Sequence, residues 1–140
     1  GVNLHLEPGI LAGIAGATGS GKSTLLQMFN GILKPTSGTV QVLDITLRGG
    51  EKAPKLHQLR KRVGLVFQFP EQQLFEDTVE KDLCFGPINF GCSVDEAKER
   101  ARKAMEKMVL DVSLLLRNPF QLSGGQMRKV AIASVLAMDP

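Results

Sequence analysis

Gly16-Ala17-Thr18-Gly19-Ser20-Gly21-Lys22-Ser23 fits the pattern G-x-x-x-x-G-K-[ST], the loop that wraps a polyphosphate. At ordinary amino-acid frequencies such a match arises by chance about once in 30,000 positions. Its flanks agree with it. Ile10 to Ala15 is a short apolar run of the kind that forms a buried strand. Beyond Lys22, Leu25, Leu26 and Phe29 recur at helical spacing, and Gly31 stands where a helix would be capped. Strand, glycine loop and helix follow one another as a phosphate cradle requires.

The chemistry explains the residue types. Gly16, Gly19 and Gly21 let the backbone close around dense negative charge, and the loop N–H groups converge with the positive end of the following helix. Lys22 brings a full charge to the β- and γ-phosphates, and Ser23 offers a hydroxyl to Mg²⁺. Ala17, Thr18 and Ser20 fill the loop, and Thr24 carries the binding segment into the helix. A rival reading uses Gly13, Gly16 and Gly19 as a dinucleotide fingerprint with Asp44 as the ribose acid. It leaves Gly21-Lys22-Ser23 without a purpose.

Further along, Thr39 to Leu43 reads as a strand, Ala53 to Lys61 as a helix and Val63 to Gln68 as another strand. From Thr78 the pattern becomes helical. Ser93-Val94-Asp95-Glu96 is a capping box opening a helix with an apolar stripe of Ala97, Ala101, Ala104, Met105, Met108 and Val109. Glu96/Arg100 and Glu99/Lys103 are spaced to pair on its outer face. The expected fold is an α/β core, residues 1–69 and 120–140, carrying a helical subdomain over residues 70–119.

Bulk properties narrow the classes. At 140 residues the chain can bury a core of its own. Its longest apolar run, Val109 to Leu116, is broken by Asp111 and Ser113 and too short to span a bilayer. No charged-then-apolar leader opens the sequence, so secretion is not expected. Cys84 and Cys92 are expected to be reduced and partly buried. The net charge of +3 owes much to Lys55, Arg60, Lys61 and Arg62. No aromatic residue interleaves them, which argues against nucleic acid as a partner.

A second motif, Leu122-Ser123-Gly124-Gly125-Gln126, combines a capping box with two glycines that leave the first helical N–H groups open. Met127, Val130, Ala131, Ser134 and Met138 line one face of the helix it opens. A P-loop followed about a hundred residues later by L-S-G-G-Q resembles the ATP-binding-cassette (ABC) ATPases. The resemblance implies a P-loop NTPase, RecA-like core that binds ATP and Mg²⁺. It implies that Gly16 to Thr24 hold one ATP, while Ser123, Gly124, Gly125 and Gln126 close over the ATP of a second ABC subunit, identical or not. Gln68 would touch Mg²⁺ and the attacking water, joining Lys22 in catalysis.

The stretch Phe67-Gln68-Phe69-Pro70-Glu71-Gln72-Gln73-Leu74-Phe75, with Thr78-Val79 and Phe85-Gly86-Pro87, is similar to energy-coupling-factor importers of vitamins and metal ions. This implies a peripheral subunit on the cytoplasmic face of the cell membrane. A transmembrane coupling subunit would contact residues 68–91, Leu74, Phe75 and Phe85 among them, and a substrate-binding membrane subunit would be reached only indirectly. An ABC ATPase acting on nucleic acid or ribosomes is the alternative within the same family. The family's Walker B carboxylates would follow Pro140 and its adenine-stacking aromatic would precede Gly1. The fold is therefore expected to be incomplete at both ends, residues 1–140 alone to hydrolyse ATP negligibly, and Ile10 to Ala15 to present an open strand edge.

Overall fold

The computed structural model describes residues 1–140. In chain order its elements are α1 (Lys22–Phe29), β1 (Thr39–Val42), β2 (Ile45–Arg48), α2 (His57–Arg62), α3 (Val79–Asn89), α4 (Val94–Lys107) and α5 (Gly124–Leu136). Short 3₁₀ turns lie at Pro70–Gln73, Val112–Leu116 and Pro119–Gln121. The sheet is one antiparallel hairpin in which Val42 pairs with Ile45 and Thr39 with Arg48. Strand β2 lies in what reads as a polar stretch, because Asp44 and Arg48 mask the Ile45/Leu47 alternation. Only Leu47 of the hairpin is fully buried.

Most of the core belongs to α3, α4 and α5. Ala97, Ala101, Ala104 and Met105 of α4 are buried, as the stripe predicts, against Val79, Leu83 and Cys84 of α3 and Val130, Ala131 and Ala133 of α5. Small side chains let the helices approach closely. Val109 departs from its expected place. Helix α4 ends at Lys107, Val109 takes φ 54°, and its side chain is 84% exposed as the chain reverses. Ser93 accepts a hydrogen bond from Glu96 N–H at 3.2 Å, while the Glu96 carboxylate turns to Arg100 at 2.8 Å. Helix α5 shares its core with α3 and α4 through Val130, Ala131 and Ala133.

Two expected strands do not form. Ile10–Ala15 and Val63–Gln68 are irregular, and residues 10–15 and 64–68 make no backbone–backbone hydrogen bond. An apolar run becomes a strand only when a neighbour completes its ladder, and no strand among residues 1–140 lies beside either segment. Ile10, Leu11 and Ile14 are consequently exposed, Leu11 wholly so. Val63–Gln68 is instead laid against the end of α5. A Cβ at Gly64 would stand 2.6 Å from Val135 Cγ1, so only glycine permits that approach.

The loop between the first 3₁₀ turn and α3 is held by one carboxylate. Asp82, 5% exposed, accepts from Phe75 N–H at 3.1 Å and Glu76 N–H at 3.2 Å through Oδ1. Its Oδ2 is buried with no hydrogen bond. Burial raises its pKa, outweighing the two N–H donors that lower it. With the folded value above the unfolded one, the fold favours the neutral acid. Asp82 therefore costs stability above its unfolded value, near 4, and the cost is relieved as pH falls through the raised folded value. Asp82→Asn keeps the Oδ1 acceptor and should match or exceed the parent's stability at pH 7, with the difference shrinking toward pH 4. Asp82→Ala should lose about 1–3 kcal/mol by stranding the two N–H groups. Urea unfolding at both pH values tests these expectations.

Candidate nucleotide-binding site

The glycine loop folds around its own lysine. Gly19 (φ 80°) and Gly21 (φ 92°) occupy left-handed backbone conformations that turn the chain into α1. Ser20 N–H donates to the Ala17 carbonyl at 3.2 Å, and Leu25 N–H begins the helical ladder on Gly21 at 2.9 Å. Lys22 Nζ donates to the Gly16 carbonyl at 2.8 Å and the Ala17 carbonyl at 2.7 Å, with Ser20 Oγ at 3.4 Å. The ammonium thus sits inside the ring of loop atoms. A Cβ on Gly16 would meet Ser20 Oγ at 2.9 Å, so the loop packs tightly there.

The residues fit a polyphosphate and its magnesium. No side chain caps the start of α1 and no acid lies in its first turn, so its leading N–H groups and its positive end face outward. Ser23 is exposed and its hydroxyl makes no hydrogen bond, which leaves it free as an oxygen ligand. Thr18 marks the loop tip and Thr24 continues the helix. Gln68 lies exposed on a bend just before Phe69 and the Pro70–Gln73 turn. No cluster of three His, Cys, Asp or Glu side chains offers a separate metal site.

The second motif folds as its spacing predicts. Gln126 N–H donates to Ser123 Oγ and Ser123 N–H to Gln126 Oε1, both at 3.2 Å. Both side chains are spent on the cap, while Gly124 and Gly125 face open space. The motif borders a cleft of about 510 Å³ lined also by Leu110, Asp111 and Lys129. A second cleft, about 470 Å³, is lined by Glu76, Cys84, Phe85, Ile88 and Lys98 along α3 and the start of α4. Burial pushes the Cys84 thiol up, as expected of an unreactive thiol.

The motifs are not gathered into one pocket. Helix α1 packs on β1, whereas α5 packs on α3, α4 and the Pro70–Gln73 turn. No hydrogen bond or ion pair links residues 16–24 to Gln68 or to Ser123–Gln126. Among the basic residues, Arg60 donates to the Gly31 carbonyl at 3.2 Å and Arg62 pairs with Asp44, whose carboxyl that hydrogen bond holds below its ordinary value. Asp44 is thereby paired on the surface. Leu74 is core, while Phe75 and Phe85 form an exposed edge-to-face pair 4.8 Å apart. Sequence reading missed Asp82; an acid four residues after the Thr78 cap is the signal that could have found it.

Known proteins share this architecture. The ABC transporter family model matches residues 1–140. The chain is 60% identical over 139 residues to the energy-coupling factor transporter ATP-binding protein EcfA2 of Bacillus cereus, covering 99% of this chain and 47% of that protein. It is 58% identical to the EcfA2 protein of Listeria monocytogenes, with 99% and 48% covered. The chain spans about half the length of the curated relatives it matches. Among solved structures it resembles CbiO1 of Clostridium perfringens, part of the ABC transporter complex CbiONQ (TM-score 0.69, 39% identity, 89% of this chain and 49% of that one). It also resembles the dimeric ATP-binding cassette MJ0796 bound to ADP and Pi (TM-score 0.76, 31% identity, 89% and 54%).

Gly21 gives a direct check on the loop. A Cβ at φ 92° costs about 1–2 kcal/mol, so Gly21→Ala should weaken Mg-ATP binding by roughly five- to thirty-fold. The start of α1 should fray in parallel. Titration calorimetry and amide exchange over residues 16–26 would read the two effects.

Proposed function

The chain belongs to the ABC transporter family, and from that premise we propose that it is the nucleotide-binding stretch of a peripheral ATPase that powers import of a micronutrient, a vitamin or metal ion. The observation that carries this is the closed loop around Lys22, with an uncapped helix start behind it and a free Ser23 hydroxyl beside it. The EcfA2 and CbiO1 likenesses support the energy-coupling-factor type over an ABC ATPase acting on nucleic acid or ribosomes. The internal bonds of Arg60 and Arg62 favour the same side, because two of the cations such a partner would need are engaged.

In this reading Gly16 to Thr24 grip the phosphates of one ATP through backbone N–H groups, and Lys22 exchanges its loop carbonyls for phosphate oxygens. Ser23 and Gln68 would hold magnesium, which would neutralise charge on the phosphates. Ser123 to Gln126 close over the ATP of a second subunit, with the uncovered N–H groups of Gly124 and Gly125 toward its γ-phosphate. The separation of α1 from α5 supports this division, since one chain need not close both surfaces on one nucleotide. The dimeric MJ0796 cassette is the precedent for two such subunits. Residues 68–91, with Phe75 and Phe85 exposed, face a transmembrane coupling subunit. No helix of the chain is long and apolar enough to cross a membrane itself.

The deciding experiment is equilibrium binding of Mg-ATP. Lys22→Ala should lose about 2–5 kcal/mol of affinity, the loss typical when one partner of a desolvated charge contact is removed. Binding that is unchanged by the substitution, or NADH binding that ATP does not compete, would discard the reading.

A further inference from the structure

The chain holds four buried side-chain oxygens without a hydrogen bond, and two of them, on Glu71 and Gln73, lie in the Pro70–Gln73 turn just after Gln68. Buried acceptors left unpaired cost stability, so two in one four-residue turn call for a reason other than stability. Glu71 Oε2 shows what that reason is. It is closed off from solvent, and Nε of Arg128 stands 3.6 Å away, within ion-pair range but beyond a hydrogen bond. Arg128 makes no hydrogen bond of its own.

The place of this pair in the chain gives it a use. Glu71 lies in the Pro70–Gln73 turn, three residues beyond Gln68. Arg128 lies in α5, two residues beyond Gln126. The turn and the helix pack directly on each other. A pair this exposed adds little to folding, since the Arg128 side chain is 54% and that of Glu71 27% accessible. A shift of less than an ångström would turn it into a charge-assisted hydrogen bond. Packed elements respond to such shifts in steps rather than by gradual yielding.

We propose that Glu71 and Arg128 are positioning residues: their ion pair is a strut that fixes the Gln68 segment relative to the Ser123–Gln126 helix start, so that the two nucleotide-facing segments of one chain move together. The proposal rests on the ATPase reading above. The strut acts only through the segments it joins.

The test is a double-mutant cycle on ATP turnover by the full-length protein, with Glu71→Gln, Arg128→Gln and the pair combined. Each single variant should lose roughly three- to thirty-fold in turnover. The combined variant should lose no more than either, because one interaction is removed in all three. The half-saturating ATP concentration should stay within about two-fold, since the phosphate cradle is untouched. Arg128→Lys, which keeps the charge, should restore most of the turnover. Losses that multiply in the combined variant, or that appear in ATP binding rather than turnover, overturn the strut, as does the absence of any loss. Should Arg128→Gln fail to fold, Arg128→Met, which also removes the charge, closes an equivalent cycle with Glu71→Gln. Turnover in the parent that Lys22→Ala leaves unchanged would overturn the ATPase reading and the strut with it. Lys22-dependent turnover with multiplying losses overturns the strut alone.

Discussion

The close meeting of α3, α4 and α5 through Ala97, Ala101, Ala104, Ala131 and Ala133 is what the remaining architecture hangs on. Alanine lets helix backbones approach where larger side chains would hold them apart, and Met105 and Leu83 fill the gaps between. Because α5 is pinned there, its N-terminal turn with Ser123 and Gln126 is presented at a fixed edge of the three-helix unit. Because α3 is pinned, Asp82 can hold the loop at Phe75 and Glu76. The Ser123–Gln126 turn and the loop at Phe75 and Glu76 are thus placed by the packing of the helices behind them.

The phosphate loop is built on another basis. Residues 1–20 are exposed throughout, and the loop's order comes from local bonds: left-handed glycines, the Ser20–Ala17 turn and the Lys22 ammonium held by two carbonyls. Local bonds of this kind need no sheet behind them. The loop therefore keeps its shape even though the apolar run leading into it makes no ladder.

Legibility in the sequence followed the range of the forces involved. The capping residues Ser93 and Ser123, the α4 stripe from Ala97 to Met105, the Glu96–Arg100 pair and the Gly31 turn are set by neighbours a few positions away, and all are where the pattern puts them. Ile10–Ala15 and Val63–Gln68 read as strands because their side chains are apolar, but a strand is a property of a pair of segments. Val109 reads as core because periodicity does not report where a helix stops. Strand β2 was hidden by its polar alternate residues. Of the candidate site, the loop geometry and the Ser123–Gln126 cap were legible. The Arg62–Asp44, Arg60–Gly31 and Glu71–Arg128 contacts join residues 18, 29 and 57 positions apart, and no local pattern announces them.

The lysine enclosed by its own loop has a thermodynamic consequence. An ammonium already bonded to the carbonyls of Gly16 and Ala17 is not a vacant charge awaiting an anion. In the proposed reading phosphate entry is an exchange, in which two carbonyl acceptors are released to water as phosphate oxygens replace them. The lysine's net contribution is then a difference between two sets of bonds, smaller than its charge alone suggests. The enclosed cation also serves as a placeholder. It keeps like-signed carbonyl dipoles from repelling one another open, so the ring holds its diameter between one nucleotide's departure and the next one's arrival.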